Sequence, residues 1–248
     1  MAVAGAFWLA TMVPMTSAGV GAGLEALRGD WPRAGGGTTR AGNVTADPSP
    51  DAPYAFTGTA GQAVVAFDPC DPVRYVIAEQ GRPDGSDELV FEAVDDVAAA
   101  TGLDFVYEGL SSERPSTDRE KYQQALYGDR WAPVLIAWSG PAEVQALEGP
   151  AAGLGGSTPV KAGSQPWIYA TGQVILDAPQ LGPLLGDRDG AGVVRSVIGH
   201  ELGHVAGLAH VGDPDQLMNP EAGEVAVFAA GDLEGLSVLG RGSCVAEY

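Results

Sequence analysis

Three histidines and a glutamate crowd one short segment, His200-Glu201-Leu202-Gly203-His204-Val205-Ala206-Gly207-Leu208-Ala209-His210. The 248-residue chain has 3 histidines, so this segment holds all of them. Histidines four apart on a helix lie about 40° apart around it and roughly 6 Å apart along it, so both rings can reach one ion. Placed at random, three histidines would fall at this spacing only about once in 10,000 arrangements, before Glu201 and Gly207 are required. Glu201 follows the first candidate ligand and is placed to take a proton from water rather than to fill a coordination position. Gly207 can adopt positive φ, which lets the helix end and turns the chain back towards the ion with His210. Three nitrogens and a fourth position left for water make the open arrangement of one catalytic zinc ion. Such an ion polarises a carbonyl and acidifies water, and Glu201 can move the proton. A serine or cysteine nucleophile would have no histidine left as its base.

The elements around this segment must hold it rigidly. Residues 192–208 read as a long helix that carries His200, Glu201 and His204, and residues 232–239 as a short closing helix. Upstream, residues 74–78, 103–107 and 134–138 read as strands, the last apolar throughout as in a strand buried on both faces. Residues 87–100 carry apolar side chains at helical spacing, with Ser86 as N-cap and Gly102 as the stop. Residues 149–163 read as a Gly-rich loop, and 167–170 and 173–176 as two strands around Thr171-Gly172. The order predicts an α/β (α+β) fold, a small sandwich of sheet and helices. There are no internal repeats.

The segment resembles the zinc motif of the metzincin metallopeptidases, which follow it with a methionine-containing turn. Met218 lies in Gln216-Leu217-Met218-Asn219-Pro220, and this Met-x-Pro turn is similar to that of the matrixins, in a reduced bacterial-type form. The resemblance covers residues 198–220 by motif and 62–245 by order of elements. It implies a twisted mixed sheet on an active-site helix, a C-terminal helix, and a zinc endopeptidase. His200, His204 and His210 would be the ligands, Glu201 the general base, and Met218 and Pro220 the Met-turn. A substrate would lie extended along an edge strand above the zinc, with residues 165–170 a candidate for that edge. No histidine remains for a second, structural zinc, and residues 28–53 contain no cysteine that could block the first.

Composition bounds the partners. Of the residues 45% are apolar, enough for a sizeable core, while 36 Gly and 18 Pro indicate many loops. A net charge of −19 argues against nucleic acid and against anionic lipid surfaces. The expected partner is a peptide or protein substrate of a monomer. Residues 1–27 read as a signal peptide with a small-residue cleavage region ending near Ala18, or as a single membrane anchor. Either puts the rest outside the cytoplasm, secreted or extracellular. Residues 28–53 read as a flexible linker, and 54–248 as the catalytic domain. Cys70 and Cys244 could form a disulfide in an exported chain, or be two unrelated buried thiols. Ca2+ could bind the acidic groups Asp84, Asp87 and Glu88 or Asp187 and Asp189, but neither has EF-hand spacing, and solvated acidic loops are the preferred reading. Two other functions share the histidines. One is a non-catalytic zinc-stabilised binding module, which would not need Glu201. The other is a zinc hydrolase of a non-peptide amide, which sequence cannot separate from a peptidase.

Overall fold

A computed structural model describes residues 8–11, 52–221 and 225–245. In chain order the elements are β1 (Trp8–Thr11), β2 (Ala55–Phe56), β3 (Val73–Ala78), α1 (Ser86–Thr101), β4 (Phe105–Ser111) and the single turn α2 (Gln124–Tyr127). Then come β5 (Val134–Ser139), β6 (Ala151–Val160), β7 (Ile168–Asp177), the single turn α3 (Ala178–Leu181), α4 (Gly190–Ala206), β8 (Leu208–Ala209) and α5 (Ala230–Leu239).

Six strands form one mixed sheet in the order β1-β6-β7-β5-β3-β4. The neighbours β4, β3, β5 and β7 run parallel, β6 is antiparallel to β7, and β1 is antiparallel to β6. β5 sits at the centre with all six residues buried, which explains why it reads as an unbroken apolar run. Helices α1, α4 and α5 cover one face. There Ile77, Ile136, Trp138 and Leu176 of the sheet pack against Val90, Val94, Val97, Ile198 and Leu202 of the helices. This is the α/β fold expected from the sequence, a mixed sheet laid over the helix that carries the histidines.

The opposite face is covered by connections rather than long helices. Residues 112–133 are pinned there by a buried ion pair. The Arg119 guanidinium donates to both Glu113 oxygens at 2.7 and 2.8 Å, to Thr171 Oγ1 at 2.8 Å, and to the Gly172 and Pro133 carbonyls at 2.9 Å. Burial pushes the Glu113 carboxyl up, but Arg119, with Tyr127 and Gln123, outweighs it and holds the group below its ordinary value.

Three local expectations are corrected. Residues 149–163 are not a loop: ten of them form β6, a ladder partner of β7. Their glycines serve close approach to a helix rather than turning of the chain. The two strands expected at 167–170 and 173–176 are one continuous β7, and Gly172 is an interior strand residue. A Cβ on Gly172 would lie 2.5 Å from Ser157 Oγ and 2.8 Å from the Gly156 carbonyl, so the tight β6–β7 pairing excludes a side chain. Ser86 is not the N-cap of α1. Gly85 occupies that position at φ 79°, and the Ser86 hydroxyl donates to the Pro83 carbonyl at 2.8 Å. The stop is as read, with Gly102 at φ 74° donating its N–H to the Ala98 carbonyl.

Residues 8–11 fall in the segment read as a signal peptide or anchor. Here their backbone lies along the outer edge of β6, Trp8 opposite Gly155 and Ala10 opposite Gly153. The rest of residues 1–27 and nearly all of the expected linker lie outside the described residues. Among the described residues no helix is long and apolar enough to cross a membrane. Cys70 and Cys244 are joined, with Cα atoms 5.4 Å apart, which ties the C-terminal stretch to the chain just before β3. Asp68 secures the same junction by accepting the Val245 N–H at 2.8 Å and the Cys70 N–H at 2.7 Å. Asp87 ion-pairs with Arg82 at the start of α1. Among the described residues neither acidic cluster considered for calcium brings three ligand atoms together.

Candidate metal centre

α4 supplies two of the three histidines from one buried face, His200 at 4% and His204 at 1% exposure. The helix ends where the motif requires. Gly207 adopts φ 121°, and its N–H reaches the Gly203 and His204 carbonyls at 3.1 and 3.2 Å. A Cβ there would stand 2.9 Å from the Val65 carbonyl oxygen and about as close to Leu239 and Tyr169, so both conformation and space demand glycine. The chain then leaves through β8, which pairs antiparallel with β2. Thr57 holds the turn by donating to the Gly207 carbonyl from its N–H at 2.9 Å and its hydroxyl at 3.0 Å. The path returns His210, half-buried, to the two helical rings.

The three Nε2 atoms lie 3.1 Å from one another in every pairing. The tautomers of the helical pair follow from their other nitrogens. His200 Nδ1 lies 2.7 Å from the Leu217 carbonyl and His204 Nδ1 2.9 Å from the Leu208 carbonyl. A carbonyl only accepts, so both Nδ1 atoms carry the proton and both Nε2 atoms present lone pairs to the centre. Burial pushes His200 down to about 4, with His210 adding to the shift, and the Leu217 contact only partly opposes it. Burial also lowers His204 well below its ordinary range, and lowers His210. These are neutral imidazoles at neutral pH, the form that binds metal. Nitrogen ligands about 2.1 Å from a tetrahedral zinc stand roughly 3.4 Å apart, so the triangle fits a zinc ion with little adjustment.

Glu201 is wholly buried at the next helical position. Its side chain lies against β6, where glycines 153 and 155 leave room for it. Met218, also buried, sits beneath the helix. A Cβ on Gly203, within the zinc motif, would fall 2.6 Å from Met218 Sδ. The turn holds the segment after His210 in place: Val211 N–H donates to the Met218 carbonyl at 3.1 Å, and Asn219 Nδ2 to the Val211 carbonyl at 3.3 Å. Pro220 follows, half-buried. The structure thus brings His200, His204 and His210 together, and places Gly207 and Met218 where each supports them. Cys70 and Cys244 form their bond at a separate junction.

Sequence reading missed the residues that fix the turn. Asp232 is fully buried near the start of α5 and accepts the Leu217 N–H at 2.7 Å, the Ala229 N–H at 2.9 Å and the Met218 N–H at 3.3 Å. Gln216 Oε1 accepts the Gly231 and Asp232 N–H groups at 2.8 and 3.2 Å, capping the same helix. Burial raises the Asp232 carboxyl above its ordinary value, and its backbone donors oppose the rise. A continuous path therefore runs from Asp232 through the Leu217 peptide to His200 Nδ1. The only sequence signal for it is an aspartate in the first turn of a closing helix.

Two outcomes follow. Asp232→Ala strands three backbone donors, two of them buried, and frees the carbonyl that orients His200. Zinc affinity, measured by competition with a chromophoric chelator, is expected to drop about 10- to 100-fold; a value within twofold of wild type would contradict the path. The second concerns the metal-free protein. Its folded His200 binds a proton only near 4, whereas the unfolded chain does so near 6.5. Stability is then full above 6.5 and falls as pH drops towards 4, by about 3 kcal/mol from this group alone. Urea unfolding of metal-free protein across that range measures it, and a flat profile would refute the neutral burial of the triad.

The chain is similar in structure to archaemetzincin from Methanopyrus kandleri, with a TM-score of 0.42 and 17% identity over 66% of this chain and 92% of that one. No family model and no curated protein matches the sequence.

Proposed function

We propose that the chain is a zinc-dependent peptidase of the metzincin type. The observation that carries this reading is the convergence of three Nε2 atoms, 3.1 Å apart, beside a buried glutamate on the same helix. His200, His204 and His210 would hold the ion. A zinc ion held there supplies Lewis acidity towards a carbonyl and acidifies water. Glu201 accepts the proton of the attacking water and returns it to the leaving amine as the peptide bond breaks. Leu217 and Leu208 keep the two helical rings in the tautomer that leaves Nε2 free to bind.

The substrate reading rests on β6. It lies beside Glu201, and the pairing of residues 8–11 along its outer edge demonstrates that this edge accepts an extended antiparallel strand. A peptide substrate would pair there in place of that segment, its main chain fixed by ladder hydrogen bonds. This moves the substrate edge from residues 165–170 to β6. The similarity to archaemetzincin agrees with the zinc peptidase reading without adding weight to it. The Met218-x-Pro220 turn favours the matrixin-like branch, and the Cys70–Cys244 bond favours an exported protein, secreted or anchored.

Glu201→Ala in the zinc-loaded chain is the test. Zinc content should stay at one per chain, while cleavage of a proteome-derived peptide library falls by at least about 100-fold. Wild-type cleavage by this variant, or cleavage that survives a chelator, would sink the reading.

A further inference from the structure

Glycine at position 153 is not explained by its backbone. Its φ is not among the positive values of the chain, and it lies in the middle of a paired strand, opposite Leu176 on one side and Ala10 on the other. In such a setting glycine weakens a strand, so some other constraint must account for it. That constraint is space. A Cβ at 153 would stand 2.9 Å from both Cγ and Oε1 of Glu201 and 3.1 Å from its Cδ. Its three nearest atoms all belong to that one side chain.

Gly155, two residues on and on the same face, differs. Its Cβ would meet the Glu201 backbone, 2.4 Å from the carbonyl oxygen and 2.8 Å from Cα, as well as Oε2 at 2.7 Å. Gly155 therefore lets α4 approach the sheet at all. At Gly153 the three nearest atoms belong instead to a rotatable side chain, from its Cγ to its carboxylate.

We propose that Gly153 is a positioning residue: its missing side chain is the seat of the Glu201 carboxylate. The inference rests on the peptidase reading for its consequence in turnover, and on the β6–α4 contact alone for its structural content. A methyl group at 153 need not move the helix, because the Glu201 side chain, Cγ included, can turn aside and carry the carboxylate with it. The fold and the histidines are then retained while the base is displaced. A displacement of about 1 Å in a reacting group can cost on the order of 100-fold in rate.

The experiment compares zinc-loaded wild type, Gly153→Ala, Gly155→Ala, Glu201→Ala and the double variant Gly153→Ala/Glu201→Ala, all in the full chain. Gly153→Ala should keep its melting temperature and one zinc per chain, with kcat lowered about 100-fold and KM within about threefold of wild type. Its crystal structure should show the carboxylate displaced from β6. Gly155→Ala should melt well below wild type. Glu201→Ala removes Cγ, Cδ and the carboxylate that the new methyl would meet, so Gly153→Ala should cost no further activity in the Glu201→Ala background. Three results would overturn the inference: a carboxylate unmoved in the Gly153→Ala crystal, additive losses in the double variant, or a collapse in stability on Gly153→Ala. The last would assign the glycine to the fold. Should the wild type cleave no peptide, the peptidase reading fails, and the crystal structure and melting temperatures still decide the role of Gly153.

Discussion

Three neutral imidazoles with their Nε2 atoms 3.1 Å apart form an arrangement suited to a cation at its centre. The two helical rings present lone pairs there, and burial, which pushes all three groups down, disfavours relieving their repulsion by protonation. Much of the surrounding structure serves to hold this arrangement. Gly207 ends α4 at the one residue that allows His210 to return. Thr57 holds that turn from β2. Leu217 and Leu208 fix the ring orientations through backbone carbonyls. Asp232 and Gln216 in turn fix Leu217 by docking the methionine turn against α5. Removal of any outer member leaves the three histidines in place as residues but loosens their aim.

A second constraint is the distance between β6 and α4. The helix carrying Glu201 lies so close to the sheet that a side chain at 155 would meet its backbone and one at 153 would meet the Glu201 side chain. This closeness buries the glutamate between helix and sheet and puts a paired strand edge beside it. Glycine is used here for approach rather than for bending. The helix face towards Met218 follows the same logic, since Gly203 admits the sulfur at a position where alanine would collide with it. The motif that binds the metal is thus also a motif of small residues, which brings the layers above and below it into contact.

The metal centre was legible in the sequence because its spacing is local: histidines four apart on a helix, and a third delivered by a glycine turn. The central strands were legible because burial on both faces makes them continuously apolar. What could not be read shares one physical feature. The carbonyls of Leu217 and Leu208 have no letter of their own, since any residue type supplies them. Asp232 acts across the gap from α5 to the methionine turn, and sequence proximity gives no hint of that pairing. β6 was taken for a loop because glycine marks turns more often than tight layers, and Gly172 divided β7 in two for the same reason. Nothing local in residues 8–11 signals the strand they add to β6.

The central claim is that these three imidazoles hold one zinc with a position left open. Zinc K-edge X-ray absorption on the purified, zinc-loaded chain tests it most directly. The account predicts one zinc per chain, bound by three imidazole nitrogens and one light oxygen donor, all at about 2.0–2.2 Å. Sulfur scattering near 2.3 Å would place the ion instead on thiolates of a reduced Cys70 and Cys244 pair. That result, a shell with fewer than three imidazoles, or a chain that retains no zinc would contradict the account.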